Sequence, residues 1–220
     1  MANSSYFSQL SHEGLLAVRG VDASKFLQGQ LTCNLNYLSE NTSSLGARCT
    51  SKGRMLSSFR IVAQADGYLL ALASELLEPQ MAELQKFAVF PKVQLTDETA
   101  TWVRFGLCQS ESLITACGFD LPATANSMDW HNGQLAIRVD QARIELWVPA
   151  EQAAATRKQL ATDLTETSVN EWLLGQVRAG IGQVFGATRE AFIPQMLNLQ
   201  ALGGVSFKKG CYTGQEIVAR

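Results

Sequence analysis

The sequence predicts an α+β fold built on antiparallel hairpins. Short apolar runs come in pairs around turn residues, as at 56–63 and 68–72 on either side of Asp66-Gly67. Helical spacing does not follow every strand, so the chain is not a regular βαβ series. With 220 residues, 46% hydrophobic and 17% charged, it can form one large core or two small, interleaved ones.

The elements follow in order. Residues 14–19 read as a strand closed by Gly20. Asp22 then caps a short helix that carries Phe26 and Leu27 and ends near Gly29. Residues 56–63 and 68–72 form the first hairpin. Leu77, Met81 and Leu84 space a helix over 76–87, with Pro79 tolerated only near its start. Residues 93–95 and 103–107 read as strands, and 135–139 with 144–148 as a second hairpin. Trp102 and Trp147 fall in these strand-like stretches and read as packing residues. The alanine-rich stretch 150–164 is a helix. Ser168-Val169-Asn170-Glu171 has the form of a capping box, opening a helix that carries Trp172, Leu173 and Val177 and stops near Gly180. Residues 118–133 are loop-like and a candidate separator of two subdomains.

Composition excludes several classes. A net charge of −2 lacks the basic balance of a stand-alone nucleic-acid binder. The five cysteines contain no CxxC pair, which argues against a disulfide scaffold and against a four-cysteine metal or cluster site. The first ten residues are polar, with no signal-peptide core, and no apolar run is long enough to span a bilayer. A reducing cytoplasm is the expected compartment. His12 and His131 are isolated and read as surface residues. Gly180 to Gly186 has the wrong spacing for a dinucleotide loop, and a helix stands where a strand should precede it.

The chemistry-bearing residues concentrate at the end of the chain. In Lys208-Lys209-Gly210-Cys211-Tyr212-Thr213-Gly214, two cations favour a thiolate, and the glycines can turn that thiol out of the core. Cys211 is therefore a candidate for redox or sulfur-related chemistry; the other reading is a small buried residue in a turn. No histidine lies beside it, so it is not half of a protease-like dyad. Lys52-Gly53-Arg54 is a turn with two cations, either a receiver of carboxylates or a solvated hairpin turn. Trp172 is either a ring for stacking a flat ligand or a core anchor on an amphipathic helix.

Three segments together resemble one family: Gly20-Val21-Asp22 with Phe26-Leu27-Gln28-Gly29-Gln30-Leu31-Thr32; residues 47–60 around Lys52-Gly53-Arg54-Met55; and Arg178 through Phe192-Ile193-Pro194-Gln195 and Asn198-Leu199-Gln200-Ala201-Leu202-Gly203-Gly204 into Lys209-Gly210-Cys211-Tyr212-Thr213-Gly214-Gln215-Glu216. This pattern is similar to that of the YgfZ-type folate-binding proteins, relatives of the glycine-cleavage T-protein, the tetrahydrofolate-dependent aminomethyltransferase. The resemblance spans nearly the whole chain. It implies an aminomethyltransferase-like folate-binding unit over 1–220, made of two interleaved antiparallel-sheet subdomains with helices. The family's further C-terminal β-barrel domain is expected to be missing, as in a truncated product.

The resemblance also implies function. The ligand is tetrahydrofolate or another folate, and the role is assembly or repair of iron–sulfur clusters in client enzymes, which supports tRNA modification indirectly. Client enzymes or cluster-assembly proteins are the implied partners, with neither direct nucleic-acid contact nor a membrane. Cys211 is the implied catalytic or redox residue. Trp172, Lys52, Arg54, Arg178 and Gln195 are the implied folate contacts, and no metal site is expected. Two positions depart from the transferase pattern. Ser57-Ser58 replaces an acidic pair, and two hydroxyls cannot carry the negative charge that stabilises a cationic one-carbon iminium. Arg178 stands where relatives often have glutamate, and a guanidinium only donates hydrogen bonds. The alternative function is a tetrahydrofolate-dependent aminomethyltransferase of the glycine-cleavage type, and whether the protein turns over a substrate stays open.

Overall fold

The structure, a computed structural model, describes residues 5–219. The first four residues of the polar N-terminus and Arg220, the last residue of the terminal motif, lie outside that range. In chain order the elements begin with β1 (Tyr6–Gln9), β2 (Glu13–Arg19), α1 (Ala23–Gln28), β3 (Ser44–Cys49), β4 (Met55–Gln64), β5 (Gly67–Ala73) and α2 (Ser74–Gln85). They continue with β6 (Gln94–Asp97), β7 (Trp102–Cys108), α3 (Glu111–Ala116), β8 (Met128–His131), β9 (Gln134–Arg138) and β10 (Arg143–Pro149). The last are α4 (Ala153–Asp163), β11 (Thr165–Glu166), α5 (Val169–Arg178) and α6 (Gln215–Val218). Both predicted hairpins form, as β4–β5 and β9–β10.

The described chain divides into two compact units that share it in alternating segments. One takes 5–12, 40–42 and 99–179; the other takes 13–39, 43–98 and 180–219. The first holds a six-stranded sheet in the order β11-β1-β7-β10-β9-β8, antiparallel except for the β11–β1 pair. Alternation along β7 and β10 sorts its two faces. Phe105, Leu107, Ile144, Leu146 and Val148 join Phe7, Ile114 and Leu160 in an apolar core under α3 and α4. The opposite face carries Arg104, Gly106, Arg143, Glu145 and Trp147. There Arg104 pairs with Glu145 at 2.9 Å, Trp147 Nε1 donates to the same carboxylate at 3.0 Å, and the guanidinium sits 4.7 Å over the indole. Trp147 is thus the packing residue its strand position predicts.

The second unit holds an antiparallel sheet in the order β3-β4-β5-β2-β6. Its core joins Leu16, Val18, Phe59, Ile61, Leu70 and Leu72 to α1, α2 and the chain after 180. The terminal segment is therefore core as well as surface, through Val184, Leu199, Val205, Tyr212 and Val218.

Several sequence expectations change. Residues 118–133 are not a separator: β8 lies within them and pairs with β9, and the boundaries between units fall elsewhere. The capping box is not formed, since Ser168 makes no side-chain cap; its carbonyl instead accepts from Glu171 N at 3.2 Å and Ser8 Oγ at 3.0 Å. Asp22 stands at the N-cap of α1, but its carboxylate accepts from Lys92 N. Pro79 is the sixth residue of α2, beyond the first turn, where packing of Leu76, Leu77 and Leu84 outweighs one missing backbone hydrogen bond. The alanine-rich helix opens with a 3-10 turn, Ala150–Gln152, before α4. Among the described residues, no helix is long and apolar enough to cross a membrane.

Candidate functional site

All three motifs converge in the five-stranded unit. Thr32, from the first, is fully buried; its hydroxyl donates to Gly204 O at 2.6 Å and accepts from Ala47 N at 2.9 Å, joining the third and second motifs. Ser206 N donates to Thr32 O at 2.9 Å, and Thr213 N to Gly29 O at 3.2 Å. The second and third motifs meet again where Met55 N donates to Phe192 O at 2.8 Å and Val184 N to Ser58 Oγ at 2.8 Å.

Two glycines in the left-handed region make the closest approach. Gly53 has φ +72°, and a Cβ there would lie 2.9 Å from Ile217 Cβ; Gly214 has φ +85°, and a Cβ would lie 2.4 Å from Thr50 O. The Lys52-Gly53-Arg54 turn therefore fits against the turn and helix that follow Cys211, and only glycine permits both the conformation and the spacing. Arg54 uses one guanidinium nitrogen on Ala191 O at 2.8 Å. Gln195, at the start of a 3-10 turn (Pro194–Leu197), donates to Val218 O at 2.5 Å. Lys52, Arg54, Gln195 and the Cys211 segment are thus held on one framework.

Around Cys211 the chain alternates. Lys208, Gly210 and Cys211 are exposed; Lys209 and Tyr212 are buried. This corrects the expectation that both lysines serve the thiol. Lys209 Nζ donates to Leu31 O and Cys33 O, each at 2.7 Å, and lies 5.0 Å over the Tyr212 ring. Its ammonium is a strut between the first motif and the last. Burial pulls its pKa down to about 8, against the opposing influence of Cys33. A lysine of depressed pKa carries a desolvation cost that is full below pH 8 and relieved as pH rises from about 8 toward the ordinary 10.5. NMR titration of lysine side-chain carbons should show one midpoint near 8; Lys209→Met should remove it, whereas an ordinary midpoint for Lys209 would contradict this placement.

Of the five cysteines only Cys211 is exposed. Burial pushes the Cys33 thiol up to about 11 and the Cys49 thiol up to about 12, so both are protonated at neutral pH. Four buried polar atoms from the motifs have no hydrogen-bond partner: Gln30 Oε1, Ser57 Oγ, Gln195 Oε1 and the Tyr212 hydroxyl. Sequence reasoning did not single out Gln30 or Tyr212 as site residues; no pattern marks an orphaned polar atom before packing is known.

Trp172 and Arg178 belong to the six-stranded unit, on α5. Arg178 is exposed in the last turn, where a cation suits the helix dipole. Trp172 is only 1% exposed. A Cβ on Gly106 would lie 2.4 Å from its ring, and the Arg143 guanidinium stands 5.1 Å from the ring centroid. Asp140 and Gln176 hold Arg143 at 2.8 Å each. Of the two sequence readings of Trp172, this is the geometry of a core anchor.

Comparison with known proteins places the chain. It is 32% identical over 209 residues to the tRNA-modifying protein YgfZ of Shigella boydii serotype 18, a match covering 94% of this chain and 64% of that protein. The protein of the same name from Escherichia coli strain SE11 gives the same figures. The chain is a relative of the YgfZ proteins. It spans 64% of the length of these YgfZ relatives. No family model matches the sequence. Among solved structures, glycine cleavage system aminomethyltransferase T from Bartonella henselae superposes with TM-score 0.65 at 18% identity, covering 75% of this chain and 47% of that one. A chain of heterotetrameric sarcosine oxidase from Corynebacterium sp. U-96 gives TM-score 0.52 at 17% identity, covering 71% and 81%. The α+β fold with antiparallel sheets is therefore that of the aminomethyltransferase T-protein, as the sequence predicts.

Proposed function

We propose that this YgfZ relative is a folate-binding accessory factor for assembly or repair of iron–sulfur clusters in client enzymes, and that it supports tRNA modification through those enzymes. The observation that carries the reading is the convergence of three motifs on one framework that presents a single exposed thiol. The residues present fit a folate. Gln30 Oε1, Ser57 Oγ, Gln195 Oε1 and the Tyr212 hydroxyl are buried without partners, and such atoms call for a polar ligand or ordered water. A pterin edge offers donors and acceptors suited to them. Lys52 and Arg54 supply cations for the carboxylates of the glutamate tail, and Arg178 is an exposed cation for the same group. Bound folate would supply a one-carbon carrier or a shaped polar plug.

The thiol acts by coordination. Cys211 loses its proton to solvent and its sulfur donates an electron pair to iron held by a client or assembly protein. Among the described residues no group of three or more His, Cys, Asp or Glu could hold a metal, so the remaining ligands come from the partner. The reducing cytoplasm is the proposed compartment.

Calorimetric titration with tetrahydrofolate tests the ligand. Saturable binding is expected, weakened by roughly 1–3 kcal/mol in Lys52→Ala with Arg54→Ala, the range for charge-assisted contacts. No heat of binding to the folded chain would leave a scaffold without folate. Assay of methylene release from an aminomethyl carrier tests the transferase alternative; Ser57 and Ser58 lead us to expect no turnover.

A further inference from the structure

The loop after α2 exposes apolar side chains that the five-stranded unit does not use. Phe87, Val89 and Phe90 are 52%, 74% and 95% exposed, while Ala88 between them is buried in the core. Val21, 85% exposed, adjoins the same loop. Gly20 sits so close to it that a Cβ would lie 2.2 Å from Lys92 O, and Lys92 N donates to the Asp22 carboxylate at 2.8 Å. Val21 also walls a groove of about 380 Å³, with Ala23 and Ser24 beside it and the β4–β5 turn opposite. None of the sequence-predicted site residues lines this groove. Exposed apolar residues scattered singly need no explanation, but four beside a groove mark a contact surface.

The charges around this surface have one sign. Lys25, Lys86 and Lys92 are exposed. Among the described residues none of their ammonium groups has a carboxylate within ion-pair distance. Nearby carboxylates are committed elsewhere: Asp66 and Glu98 to Arg19, and Glu83 to Arg48 and Arg189. A chain of net charge −2 therefore presents a basic rim around its most exposed apolar loop.

We propose that this face docks an acidic segment of a partner protein, with an apolar side chain in the Val21 groove and carboxylates against Lys25, Lys86 and Lys92. Charge complementarity selects an anionic occupant. The groove selects a protein over a lipid surface, because a side chain can enter a socket that a headgroup plane cannot fill. A second copy is disfavoured, because a twofold pairing would set lysine rim against lysine rim. Docking here requires neither folate nor the Cys211 thiol.

The probe is a short fluorescein-labelled peptide alternating glutamate with leucine and phenylalanine, titrated into the full chain by anisotropy. Saturable binding is expected, falling with added salt and weakened roughly tenfold or more in Phe90→Ser with Lys92→Glu. Both side chains are exposed, so the variant should melt as the parent does. Val89→Ser alone, a milder change, should weaken binding in the same direction. A peptide with lysine in place of glutamate should not bind. No binding, equal binding of both peptides, or equal binding by parent and variants overturns the proposal. Attachment to phosphatidylglycerol vesicles, lost in the double variant while the acidic peptide is ignored, overturns it in favour of a lipid surface. A dimer dispersed by Phe90→Ser overturns it in favour of a second copy.

Discussion

Cys211→Ala is expected to leave the fold intact and to abolish rescue of iron–sulfur enzyme activity in cells lacking the protein. The two halves of that expectation have separate causes. The thiol is exposed and nothing lies within 4 Å of the position a Cβ would take on neighbouring Gly210, so truncation removes little packing. Exposed changes of this kind stay within about 0.5 kcal/mol. Activity is different, because no other cysteine can stand in. Cys33 and Cys49 are buried and held protonated well above neutral pH, Cys108 is buried, and Cys117 is half-buried with its thiol pKa raised by burial and by Asp163. Brief iodoacetamide treatment followed by peptide mapping should mark Cys211 first. Full rescue by Cys211→Ala would remove the thiol from the proposed function while leaving folate binding untouched.

The sequence was legible where periodicity or turn chemistry is local. Gly67 opens the second strand of the β4–β5 hairpin, and Gly180, with φ +69°, follows the end of α5 as its place after Arg178 and Ala179 suggests. It was not legible where the decisive partner lies far along the chain. β3 carries Gly46 and Arg48 at positions that spoil a strand pattern. Gly46 is there because a Cβ would lie 2.7 Å from the Phe59 ring and 2.8 Å from Cys33 Sγ, and Arg48 because Glu83 takes its guanidinium at 2.6 Å. β1 and β8, at four residues each, are strands only because β7 and β9 pair with them. At the site, the resemblance located the three motifs, and nothing in their spelling shows which of two adjacent lysines turns inward. Lys209 is chosen by two carbonyls of residues 31 and 33, more than 170 positions away in sequence. A local reading assigns both lysines to the nearest sulfur.

Trp172→Ala is expected to cost about 3–5 kcal/mol of stability in the six-stranded unit, the range for deleting a large buried aromatic ring. The ring is seated where β7 offers Gly106, whose missing side chain makes the room; a Cβ there would lie 2.4 Å from the indole. Alanine at 172 leaves that room empty, and neither the backbone at Gly106 nor the tethered Arg143 can collapse into it. Arg143 also loses a ring 5.1 Å from its guanidinium, an interaction worth roughly 1–2 kcal/mol when desolvated. Its bonds to Asp140 and Gln176 keep the cation in place, so the loss is not recovered by its swinging away. Gly106→Ala is the converse test: overfilling the same seat should destabilise by about 1–3 kcal/mol, and the two changes should not add, because they act on one contact. Urea denaturation measures both. If the indole instead stacks on folate, as the resemblance implies, Trp172→Ala leaves the denaturation midpoint in place and weakens tetrahydrofolate binding by roughly 1–3 kcal/mol, and the packing argument fails at its central residue.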